Sequence, residues 1–142
     1  SRKDLARAMD LANARGARRV IPLDVSGAFH SQLMRPAAAG MTEAISRFSF
    51  REPSIPIVAN CTGKPIFTSA EVKHELVTQL CNTVRWRRSV EYMLDAGVST
   101  FIEMGPGNVL SGLVKRINKD AETLSAEDSL KAASHRHPKT YL

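Results

Sequence analysis

Apolar residues recur along the chain in two rhythms. Leu5, Ala8, Met9, Leu11 and Ala12 fall at helical spacing, which predicts an amphipathic helix over Asp4–Arg15 with Gly16 as its C-terminal cap. A short apolar run with β-branched bias, Val20 to Val25, predicts a first strand over Arg19–Val25, broken by Ser26 and Gly27. Met41, Ile45 and Phe48 then share one face of a helix predicted over Leu33–Phe48, with Pro36 tolerated near its start. Pro53 and Pro56 bracket a loop before a short strand, Ile57–Asn60, and a turn at Gly63. Thr68-Ser69-Ala70-Glu71 has the form of a capping box, so a helix is expected over Glu71–Leu80. Asn82–Arg85 breaks the pattern, and Val90, Met93 and Leu94 mark the inward face of a helix over Trp86–Ala96, ended by Gly97. Ser99–Met104 reads as a strand, and Gly105-Pro106-Gly107 leads into a helix from Asn108 to about Asn118.

Strands that alternate with helices predict an α/β architecture with a mainly parallel sheet. From Lys119 onward charged and small residues mix without period, and residues 119–142 are expected to form a frayed or disordered tail. Within 142 residues, 43% of them hydrophobic and 24% charged, one domain with a moderate core is expected. No apolar run approaches the roughly 20 residues of a membrane-spanning helix, no signal peptide is visible, and no membrane partner is expected. Cys61 and Cys81 stand in no metal-ligand spacing, so they read as reduced small hydrophobes of a cytoplasmic protein, with no metal site. The net charge of +6 points to anionic partners: a phosphate-bearing cofactor, an acidic protein or nucleic acid.

Chemistry concentrates after the first break. Phe29 and His30 sit at the mouth of the predicted strand-to-helix turn, where open α/β sheets place their ligands. An imidazole there can serve as a general base. A histidine that merely bridges a loop fits the same residues, and both readings stay open. Ser31 follows directly, but neighbouring side chains diverge, and no Gly-x-Ser-x-Gly elbow occurs in the chain. Gly105-Pro106-Gly107-Asn108 offers either a helix N-terminus for an anion or a tight turn, without the second half of a dinucleotide fingerprint or the lysine of a P-loop. Arg85, Arg87 and Arg88 around Trp86 suit nucleic acid or a solvated helix face. Glu103, at the end of a predicted strand, is either buried or catalytic.

Four blocks taken together carry a resemblance. Gly27-Ala28-Phe29-His30-Ser31-x-Leu33-Met34, Asn60 with Gly63, Gln79-Leu80 followed by Val84-x-Trp86-x-x-Ser89-Val90, and Glu103-x-Gly105-Pro106-Gly107-x-x-Leu110 occur in the order and at the spacing of malonyl-CoA:acyl carrier protein transacylases. Over roughly Leu11 to Ile117 the chain resembles the C-terminal half of that family. The family's N-terminal half, with its nucleophile elbow and carboxylate-binding arginine, has no counterpart in these residues.

The resemblance implies the acyl transferase/acyl hydrolase-like fold. Residues 1–25 would end a ferredoxin-like small subdomain, and 26–118 would form the C-terminal part of the α/β domain. It implies transfer of a malonyl group from malonyl-CoA to the phosphopantetheine thiol of acyl carrier protein through an acyl-serine, with no bound cofactor. His30 matches the family's base, Gln79 the residue whose backbone carbonyl orients that imidazole, and Phe29 a position lining the acyl pocket. The chain alone is expected to be inactive, lacking the serine. No nucleic-acid partner is implied. Two other readings remain: an acyltransferase piece of a polyketide or fatty-acid synthase, and a non-catalytic module that binds an acidic protein or nucleic acid.

Overall fold

Val90, Val114 and Ala121 meet at the centre of the fold, with Trp86, Met93, Leu94, Phe101 and Ile117 packed around them. The computed structural model describes residues 2–127. Its helices are α1 (Arg2–Ala14), α2 (Arg35–Ser46), α3 (Ser69–Thr78), α4 (Trp86–Asp95) and α5 (Val109–Ile117), with a 3-10 turn at Gln32–Met34 before α2. The strands are β1 (Ile57–Val58), β2 (Pro65–Ile66), β3 (Thr100–Glu103) and β4 (Glu122–Ser125). Among the described residues no helix is long and apolar enough to cross a membrane.

The predicted helices are present within a few residues of their expected ends, and α3 starts where its cap dictates. The Thr68 side chain accepts from the Glu71 backbone N–H, and the Glu71 carboxylate accepts from the Thr68 N–H, closing both halves of the box. A further bond from the Phe67 N–H at 2.9 Å helps hold the Glu71 carboxyl below its ordinary pKa, since all these donors favour the charged form.

The strands among the described residues form two separate pairs. β3 and β4 pair in parallel, Thr100 opposite Glu122 through Glu103 opposite Ser125, with α5 as the crossover between them. β1 and β2 form a separate antiparallel pair, Ile57 opposite Ile66. The strand expected at Arg19–Val25 is absent: these residues run as irregular chain, with Leu23 77% exposed. Pro22 offers no N–H, and the Val25 N–H turns back to the Leu23 carbonyl at 3.1 Å, so no ladder forms. Residues 119–125, expected as part of a frayed tail, are ordered instead. Asn118 Oδ1 accepts from the Asp120 and Ala121 N–H groups, Ala121 is buried, and β4 follows directly. A charged, short strand with one non-local partner leaves no periodic signature of its own. The remainder of that expected tail, 128–142, lies outside the described residues.

Gly63 fixes the β1–β2 turn against α4. Its φ is +65°, and a Cβ there would stand 2.7 Å from Arg88 Cβ, closer than real contacts allow. The turn and the start of α4 therefore pack backbone to backbone, which sets the position of residues 59–61 beside the site.

Candidate active site

A helix leaves its last carbonyls without intrahelical partners, and they form the negative end of its dipole. At the end of α3 the loop around His30 uses them. The His30 N–H donates to the Leu80 carbonyl at 2.9 Å, and His30 Nδ1 lies 2.8 Å from the Gln79 carbonyl oxygen. Because a carbonyl only accepts, Nδ1 carries the proton, and Nε2 keeps a lone pair. His30 adopts φ +62°, and it is the non-glycine residue with positive φ among the described residues. This left-handed conformation costs about 1–3 kcal/mol and persists where surrounding contacts impose it. Gln32 Nε2 adds a third clamp, donating to the Cys81 carbonyl at 3.2 Å.

Phe29 is half exposed beside His30, and its ring folds back over Gly27, where a Cβ would come within 3.0 Å of Cε2. Ser31 is no partner for the imidazole: its hydroxyl donates to the Ala28 carbonyl at 2.7 Å. The exposed imidazole thus has an orienting acceptor on one nitrogen, an open second nitrogen and an aromatic neighbour. That arrangement can take a proton from a nucleophile presented to Nε2.

Sequence reasoning left the surroundings of Gln79 unassigned. Its side-chain Oε1 accepts from Asn60 Nδ2 at 2.8 Å, and the Asn60 carbonyl accepts from the Arg85 N–H at 2.8 Å. Cys61 lies beside Asn60, with its N–H donating to Glu75 Oε1 at 3.1 Å. Burial, reinforced by the Glu75 carboxylate, pushes the Cys61 thiol up from its ordinary pKa, which keeps it protonated and unreactive at neutral pH.

The other candidates resolve into structure. Glu103 accepts from the Leu110 N–H at 3.0 Å and the Ser111 N–H at 2.8 Å, so the strand-end carboxylate caps α5 across the Gly105-Pro106-Gly107 turn. Those bonds, the one from Ser111 foremost, hold its pKa below the usual carboxylate value. The α5 N-terminus that offered an anion site is thus filled from within. Of the arginines around Trp86, Arg85 Nε donates to the Cys61 carbonyl at 2.9 Å and Arg87 pairs with Glu91 at 2.7 Å, while the Trp86 ring packs on the core rather than standing out as a stacking platform.

No protein-family model matches the chain. It is 40% identical over 126 residues to the malonyl CoA-acyl carrier protein transacylase of Bacillus subtilis (strain 168), covering 89% of this chain and 40% of that protein. The crystal structure of the acyl-carrier-protein-S-malonyltransferase from Bartonella henselae superposes with a TM-score of 0.83 at 37% identity, over 94% of this chain and 43% of that one. A structure of a type II polyketide acyl-carrier protein in complex with its malonyl-transacylase matches with a TM-score of 0.84 at 36% identity, over 95% and 44%. The chain therefore spans about two-fifths of the length of the relatives it matches. Over nearly all of its own length, this chain is homologous to malonyl CoA-acyl carrier protein transacylases and carries part of their acyltransferase fold.

Proposed function

We propose that this chain supplies the general-base part of a malonyl-CoA:acyl carrier protein transacylase. The observation that carries the reading is the 2.8 Å contact between His30 Nδ1 and the Gln79 carbonyl, which leaves Nε2 as the free base. In this reading Nε2 takes the proton of a serine hydroxyl as its oxygen attacks the malonyl thioester carbonyl. The C–S bond to coenzyme A breaks, and the proton passes to the departing thiolate. The phosphopantetheine thiol of acyl carrier protein then gives its proton to Nε2 and attacks the acyl-serine, and the serine oxygen leaves with that proton. His30 and Gln79 stand in the positions of a Ser-His-carbonyl relay, and Phe29 lines the acyl pocket.

The 142 residues hold no Gly-x-Ser-x-Gly elbow, so the serine comes from outside them. Residues 1–25 belong, in this reading, to the end of a ferredoxin-like small subdomain, and 26–118 to the α/β acyltransferase domain. The net charge of +6 suits two anionic partners, coenzyme A phosphates and an acidic carrier protein, in the cytoplasm. The polyketide complex among the structural neighbours makes polyketide rather than fatty-acid assembly the second setting for the same chemistry. Co-expression with the elbow-bearing segment of a homologous transacylase tests the reading: malonyl transfer to holo acyl carrier protein is expected from the pair and from neither piece alone. A folded, associated pair that transfers nothing would overturn it.

A further inference from the structure

We propose that Asn60 is a positioning residue that sets the tautomer of His30 through Gln79. Gln79 sits just past the end of α3, where helices fray, yet its carbonyl must point at Nδ1. Beside the Asn82 N–H, which donates to the Gln79 carbonyl at 3.4 Å, two ties to the β1–β2 turn help hold the last turn of α3. Glu75 Oε1 accepts from the Cys61 N–H at 3.1 Å, and Gln79 Oε1 accepts from Asn60 Nδ2 at 2.8 Å, part-buried. Glu75 and Gln79 are four residues apart and so face the same way. Between them they grip Asn60 and Cys61, which follow β1 after Ala59.

That segment is itself rigid. Ala59 is buried, its N–H donates to the Lys64 carbonyl at 2.9 Å, and it accepts from the Gly63 N–H at 2.9 Å. The Arg85 backbone N–H holds the Asn60 carbonyl at 2.8 Å, and Arg85 Nε holds the Cys61 carbonyl at 2.9 Å. A continuous path thus runs from the start of α4, through Asn60 and the Gln79 side chain, to the Gln79 carbonyl and the imidazole. The importance of this path to turnover rests on His30 being the base; its effect on the ring does not.

The test reads the ring directly. The 142-residue chain carrying 15N-labelled histidine, dilute and above the imidazole titration, reports its tautomer by long-range 15N–1H correlation, with the His30 signals identified by their loss in His30→Gln. The native chain is expected to show the Nδ1–H form. Asn60→Ala should lose it in favour of Nε2–H, Gln79→Ala should do the same, and the double variant should add nothing further. Asn60→Asp should retain the native form, because the Gln79 amide can rotate and donate to the carboxylate. Asn60→Asp with Gln79→Glu sets two acceptors face to face and should lose it again. Full retention of the Nδ1–H form in a folded Asn60→Ala chain overturns the proposal. If that variant does not fold, retention in the Asn60→Asp/Gln79→Glu pair overturns it. No acyl transfer enters the readout, so a failure of the transacylase reading would leave this result standing, and the reverse.

Discussion

Replacing Gly63 and Gly97 by alanine separates backbone conformation from close approach. Both glycines have positive φ, +65° and +89°. A Cβ in the left-handed region costs about 1–2 kcal/mol at either site. Nothing lies within 4 Å of a Cβ at Gly97, so Gly97→Ala should cost only that amount. At Gly63 the new methyl would stand 2.7 Å from Arg88 Cβ and 3.2 Å from the Ser89 backbone nitrogen, both on α4. The first turn of α4 would have to retreat from the β1–β2 turn, an overpacking cost of about 1–3 kcal/mol more. Gly63→Ala should therefore cost about 2–5 kcal/mol in all. The single tryptophan, Trp86, opens α4 and packs on the core, so its fluorescence reports this interface in urea titrations at submicromolar protein. The two midpoints should differ by on the order of 1 M, with Gly63→Ala the lower or lacking a folded baseline. Equal midpoints would refute the close approach and, with it, the account of how the turn is held beside Asn60.

Three further outcomes are expected. Leu23, Leu33, Met104 and Val109 are each more than 70% exposed, and Ile102 opposite Leu124 leaves the second face of the β3–β4 pair uncovered, so the chain alone should self-associate; a single monomeric species across micromolar concentrations in sedimentation velocity would count against this. The lowered pKa of Glu103 means its cap stabilises α5 fully above the ordinary glutamate value near 4.3 and is lost as pH falls through its lower folded value. Glu103→Gln should flatten that acid limb in a pH series of urea midpoints, and an unchanged limb would remove the assignment. In a restored enzyme Phe29→Ser should relax discrimination against methylmalonyl-CoA by up to the ~1–3 kcal/mol that one methyl is worth in an apolar pocket. An unchanged ratio of kcat/KM for the two donors would exclude Phe29 from the pocket.

What the sequence disclosed follows from how local each signal is. The α3 start was legible because a capping box is completed within four residues, Thr68 to Glu71. The α4 face was legible because Val90, Met93 and Leu94 recur at helical period. Arg19–Val25 has strand-like composition but finds no partner strand among the described residues, and pairing is not written in a single segment. Missing β4 has the same cause in reverse, since Glu122–Ser125 becomes a strand only through β3. At the site, His30 stood out by its place after the Gly27 break, and the Gln79 contact followed from the family resemblance. The Asn60–Gln79 bond joins side chains 19 residues apart, and the Glu103 cap crosses a turn to backbone N–H groups; neither has a periodic or compositional trace.

The central claim, that His30 is the base of an acyl transfer, is met most directly by the rate at which malonyl-CoA acylates serine in the complemented enzyme. His30→Ala, normalised to folded protein by circular dichroism, is expected to slow acylation by roughly 10²–10⁴-fold, as loss of a general base does. Gln79→Ala keeps the backbone carbonyl but loses its tie to Asn60, so it should slow acylation less than His30→Ala does, in step with the share of His30 that leaves the Nδ1–H form. Near-native acylation by a folded His30→Ala enzyme would contradict the account and leave His30 as a residue that only ties its loop to the end of α3.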